Sequence, residues 1–156
     1  MSLIWGLLAF LAVVIAATCG VRAARRARAG GLIGEISETL TLLESHDLEA
    51  ALAHCGEGGR APNLPALSTL SYRTGAAWMA LLGAHLARLS ASFYASAQAL
   101  QDELRGLSSE TAEVARTERA KSASQELQRT FTLGDETLRS LRDVVSRRRC
   151  GSISRS

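Results

Sequence analysis

Hydrophobic and polar positions divide the chain into three stretches with different periods. From Leu3 to Val21 the sequence LIWGLLAFLAVVIAATCGV carries no charge and no polar face, and Arg22, Arg25, Arg26 and Arg28 follow at once. A helix needs about 20 predominantly apolar residues to cross a bilayer, so this run predicts a transmembrane helix. From Ile33 the period becomes helical and one-sided. Ile33, Ile36, Leu40 and Leu43 recur at three and four, which predicts a short amphipathic helix. Ser45-His46-Asp47 interrupts it, and Asp47 is placed as the N-cap of a second short helix, Leu48–Cys55, with Gly56 at its C-terminal end.

The segment GEGGRAPNLP is the one clear loop, and Pro65 suits the first turn of a new helix. Beyond it a long stripe begins. Leu82, Leu86, Leu89, Phe93, Ala97, Leu100, Leu104, Leu107, Thr111 and Val114 step by three or four. After a weak patch through Glu118 and Lys121 the stripe resumes as Leu127, Phe131, Gly134, Leu138, Leu141 and Val145. Breaks are expected near Gly106-Leu-Ser-Ser109 and near Thr132, where Thr132-Leu-Gly-Asp135 has capping-box spacing. An amphipathic helix must bury its stripe. The pattern therefore predicts either a coiled coil with another subunit or a hairpin within the chain. The interface is read as Leu82, Leu86, Leu89, Phe93, Leu100, Leu104, Leu107 and Val114.

The expected architecture is all-α. Residues 1–30 form a transmembrane anchor with a basic cytoplasmic flank, 31–65 short helices and a Gly/Pro loop, 66–149 a long helical region, and 150–156 a disordered tail. No strand-like alternation occurs, and aromatic residues are only 4% of the chain, which argues against a large globular core. Thr74–Gln101 carries Arg88 as its only formal charge. It reads as an amphipathic helix with a wide apolar face, the alternative being a second membrane span. Against a second span stand the serines and a central Arg, which costs about 2.5–3.5 kcal/mol on insertion.

Charge orients the anchor. Lys and Arg near a span stay on the cytoplasmic side, and here all four nearby arginines follow it. The expected topology in the cell (inner) membrane is N-terminus out and body cytoplasmic, with Arg22, Arg25, Arg26 and Arg28 flanking the bilayer and Trp5 near its outer face. A cleaved export signal is the alternative, but its basic residues would precede the apolar run. The net charge of +3 conceals an asymmetry. Four arginines lie at each end, while residues 30–146 hold ten basic and fifteen acidic side chains. Nucleic acid is not an expected partner, because its binding face would need a basic stripe along the body.

Candidate chemistry is sparse. His46, His54, Cys55 and His85 do not show the paired spacing of a zinc site. His85 is expected to be a core or interfacial side chain. Three cysteines, Cys19, Cys55 and Cys150, are an odd number and suggest no disulfide framework. GEGGRAP lacks the Lys-Ser/Thr of a phosphate loop, and no Gly-x-Ser-x-Gly elbow occurs. No catalytic residue, cofactor or metal is expected, and the chain is read as a non-enzyme.

One stretch resembles a known family. The apolar span, its basic exit and the following HDLEAALAHCGEGGRAPNLPALSTLSYRTG are similar to the early part of the MotA/TolQ/ExbB proton-channel family. The likeness rests on Leu48–Cys55 and Pro62–Leu70 and covers residues 1–75 at most. It implies kinship with a subunit of an ion-driven membrane motor or transport complex. The family's glycine-rich second-span signature is absent here, so no channel residue is carried over. Together these features predict a membrane-anchored helical scaffold that contacts the bilayer and pairs with a second copy or a helical partner.

Overall fold

The computed structural model describes residues 2–56, 59, 61–62, 67 and 79–146, with side chains in α1 described from Phe10. Among these residues the chain is all-helical, in the order α1 (Ser2–Ser45), α2 (Leu48–Gly56), α3 (Met79–Leu82), α4 (Ala84–Ser109) and α5 (Glu113–Ser146). The expected tail of residues 150–156 and Pro65, where a new helix is expected to begin, lie outside the described residues.

α1 joins the apolar run and the first amphipathic stretch in one helix. The sequence pattern places a boundary near Gly30-Gly31, between anchor and body. The helix instead runs through it for 44 residues, about 66 Å at 1.5 Å per residue. A helical glycine costs only about 1 kcal/mol relative to alanine, and the alanines and arginines around this pair are good helix formers. The continuous rod has two distinct halves. Every side chain from Phe10 to Ala23 is exposed, whereas Ala29, Leu32, Ile36, Leu40 and Leu43 are buried. Among the described residues no helix is long and apolar enough to cross a membrane; described side chains begin at Phe10, and from there the uncharged stretch reaches only Val21.

The expected interruption at Ser45-His46-Asp47 is present. Ser45 Oγ donates to the Leu42 carbonyl at 2.9 Å, and His46 Nδ1 lies 2.9 Å from the same oxygen, which satisfies a terminal carbonyl of α1. Asp47 turns the chain with φ 43°, a left-handed conformation that Asp tolerates better than most residues. Its carbonyl then accepts the Ala51 amide at 3.0 Å, as an N-cap carbonyl does.

The long stripe closes as a hairpin. The chain reverses at residues 110–112, just after the expected break. Ser108 and Ser109 hydroxyls return to the Arg105 and Gly106 carbonyls at 2.7 and 3.0 Å, and Glu110 is extended. α4 and α5 run antiparallel: Glu103 meets Ser122, Ser96 meets Thr130, and Phe93 meets Gly134. No break occurs at Thr132. Its hydroxyl donates to the Gln128 carbonyl at 3.0 Å and leaves the helix intact.

α5 is the hub, packing against α4, α1 and α2. Gly134 marks where three helices meet. A Cβ there would lie 2.9 Å from both methyls of Leu40 on α1 and 3.1 Å from Phe93 on α4, so only glycine allows this approach without displacement. The core falls into two connected clusters. One unites Ala29, Leu32, Ile36 and Leu40 with Leu82, Leu86, Phe93, Leu138 and Leu141. The other unites Leu43, Leu48, Leu52 and Cys55 with Leu100, Leu104, Leu107, Ala120, Ala123 and Leu127. Between them sits a buried polar link. Ser96 Oγ donates to Glu126 Oε2 at 2.9 Å, Thr130 Oγ1 donates to the Glu126 carbonyl at 2.7 Å, and the two hydroxyl oxygens lie 3.0 Å apart.

Candidate functional site

The residues singled out from sequence fall in two places. Of the interface set, Leu82, Leu86, Phe93, Leu100, Leu104 and Leu107 are buried and Leu89 is half-buried. Their partners are α1, α2 and α5 of the same chain, so the stripe is covered internally. Val114 departs from the set and is 79% exposed. It lies one residue into α5, past the reversal, where the α4 stripe no longer continues onto the same face.

The basic flank lies where the exposed half of α1 meets the body. Arg22, Arg25 and Arg26 line an open cleft of about 700 Å³ there. Arg28, on the next turn, is half-buried. α5 contributes Ser140, Asp143 and Val144 to the opposite wall, and Leu82, Gly83, Ala84, His85 and Leu86 form the floor. Arg25 Nη2 donates to the Leu82 carbonyl at 3.0 Å and ties α1 to α3. Its Nε is buried without a hydrogen-bond partner.

Gly83 makes the floor possible. It joins α3 to α4 with φ 92° and ψ 155°, a conformation essentially restricted to glycine. As the N-cap of α4 it brings no side-chain hydrogen bond. The first-turn amides of a helix have no partner within the helix and carry its positive partial charge, and the residues of that turn, Ala84, His85 and Leu86, line the cleft.

One expectation changes here. His85 is exposed at the cleft and not a core side chain, because it falls between Leu82 and Leu86, which carry the buried face. Among the flanking arginines, Arg25 is half-buried and bonded across to α3. Asp143 and Gly83 had no separate signal in the sequence. Their roles arise from the return of α5 to the start of α4, a contact between residues 60 apart in the chain.

No family model, curated protein or solved structure matches the chain.

Among the described residues no group of three or more His, Cys, Asp or Glu gathers as metal ligands. Cys19 is exposed and Cys55 is buried. The cleft is a basic cavity with one opposing carboxylate. Such an arrangement suits an anion, since arginine donors hold phosphate or carboxylate oxygens in fixed geometry.

Proposed function

We propose that this chain is a single-pass membrane protein whose helical body scaffolds partners at the membrane surface on the cytoplasmic side. The supporting observation is the unsatisfied half of α1. Phe10 is 70% exposed, Val13 65% and Ile15 54%, on a helix that projects unaccompanied from the body. Apolar burial stabilises by about 25 cal/mol per Å², so a surface of this kind favours an apolar surrounding over water. By sequence the uncharged run extends from Leu3 to Val21, which at 1.5 Å per residue spans close to the ~30 Å hydrocarbon core.

The arginine flank supports N-terminus out and body in. The internal covering of the stripe moves the expected partner surface away from Leu82–Val114. It is the apolar half of α1 that pairs with a second copy or with spans of another protein. That position is also compatible with an accessory subunit of an ion-driven complex of the MotA/TolQ/ExbB kind.

The test is a tag-accessibility map of the full chain in cells. A C-terminal tag should be labelled only after the inner membrane is permeabilised, and the protein should resist alkaline extraction. Labelling of the C-terminus in intact spheroplasts overturns the orientation. Release by alkali, with an intact mass beginning after Val21, supports the exported alternative instead. Stoichiometric co-purification with a multi-span protein favours the accessory-subunit reading.

A further inference from the structure

We infer that the cleft between Arg22, Arg25 and Arg26 of α1 and the first turn of α4 is a binding site for the phosphate of an anionic lipid headgroup. The inference rests on the anchored reading of α1 and adds a ligand class to it. Three observations carry it. The cleft has room, at about 700 Å³, within the range of small-molecule sites. Its charge is net positive, with three arginines against the single carboxylate of Asp143. Arg25 holds a buried Nε without a partner while its Nη2 is spent on the Leu82 carbonyl, so its orientation is set before any ligand arrives.

Depth along α1 selects lipid over a soluble anion. With Leu3–Val21 in the hydrocarbon, Arg22 stands at its edge and Arg26 lies about 6 Å further out at 1.5 Å per residue. The headgroup layer occupies about 5–7 Å on each side of the hydrocarbon core. The cleft mouth is therefore level with the lipid phosphates. The uncapped first turn of α4 adds a positive end of a helix dipole at the same level. Basic pockets beside membrane helices on the cytoplasmic side hold anionic headgroups by this chemistry.

The test uses the full chain in a neutral detergent with dioctanoyl phosphatidylglycerol, dioctanoyl phosphatidylcholine and inorganic phosphate as separate titrants. Saturable binding of one phosphatidylglycerol per chain is expected, at least tenfold tighter than phosphatidylcholine or phosphate. Arg25→Gln with Arg26→Gln should weaken it tenfold or more. Arg88→Gln with Arg142→Gln removes the same charge from exposed positions near the same end but outside the cleft, and should change it less than twofold. Equal binding of the two lipids, or equal loss in both double variants, overturns the site. Phosphate binding as tight as phosphatidylglycerol overturns the lipid assignment. Circular dichroism at 222 nm confirms that each variant stays folded. In a second double variant, Arg22→Gln with Arg26→Gln, the Arg25–Leu82 tie remains, and the same loss of lipid binding is expected. Alkaline extraction of the wild type separates the two levels: a protein retained by the membrane but without lipid preference removes the cleft inference alone, while release removes the anchor itself.

Discussion

Replacing Gly134 by alanine isolates the three-helix contact at the centre of the body. In isolation the change should help, since alanine is about 1 kcal/mol better than glycine within a helix. Here the added Cβ would sit 2.9 Å from both Leu40 methyls and 3.1 Å from Phe93, whereas carbon atoms prefer about 3.5–4.0 Å. Leu40 and Phe93 are buried and must shift together. Overpacking of this kind costs about 1–3 kcal/mol, so the net expectation is a loss of about 0–2 kcal/mol once the propensity gain is subtracted. Gly34→Ala is the matched control. It lies on α1 with nothing within 4 Å of its Cβ position, and should gain about 0.5–1 kcal/mol. The two identical substitutions should thus differ by about 1–3 kcal/mol. Urea denaturation of the full chain in detergent, followed at 222 nm, reads both. Leu40→Ala completes a cycle: alone it should cost about 2–5 kcal/mol, but in its presence Gly134→Ala should turn stabilising, with a coupling of about 1–3 kcal/mol. If Gly134→Ala stabilises the otherwise unmodified protein as much as Gly34→Ala does, α1 and α4 do not converge on this face of α5.

Three further outcomes follow from the same packing. Phe93→Ala should cost about 3–5 kcal/mol in the same denaturation assay, because Phe93 is fully buried, whereas Val114→Ala should stay within about 0.5 kcal/mol as an exposed position. Gly83→Ala should cost about 1–3 kcal/mol from its backbone conformation alone, with no crowding to add, since nothing lies within 4 Å of the Cβ position; an unchanged midpoint would refute the bend between α3 and α4. Thr130→Val keeps the side-chain shape but removes the hydroxyl beside Ser96 and Glu126, and a loss of about 1 kcal/mol is expected in thermal unfolding.

The helices themselves were legible along the chain because helical burial is a local periodic property. Ile36, Leu40, Leu43, Leu86, Phe93, Leu100, Leu104 and Leu107 are all buried, on the faces their spacing of three and four marks out. The turn at Ser45-His46-Asp47 was legible for the same reason, since its determinants are neighbours. Thr132 misled in the other direction: a capping-box spacing suggests a helix start, but here the Thr132 hydroxyl turns back to the Gln128 carbonyl and the helix continues.

Local pattern along the chain thus carries the all-helical character, the apolar N-terminal run and the stripe that had to be buried. What buries the stripe depends on how the helices pack. A stripe states that a partner surface exists and says nothing of whether that surface belongs to another subunit or to a helix 30 residues further along. The reversal at residues 110–112 settled this within the described chain, by bringing α5 back along α4 and against α1. The same return set Asp143 opposite Arg22, Arg25 and Arg26 across one cleft. Contacts between residues so distant in sequence depend on where helices end and how closely a glycine lets them approach, and no local period encodes that.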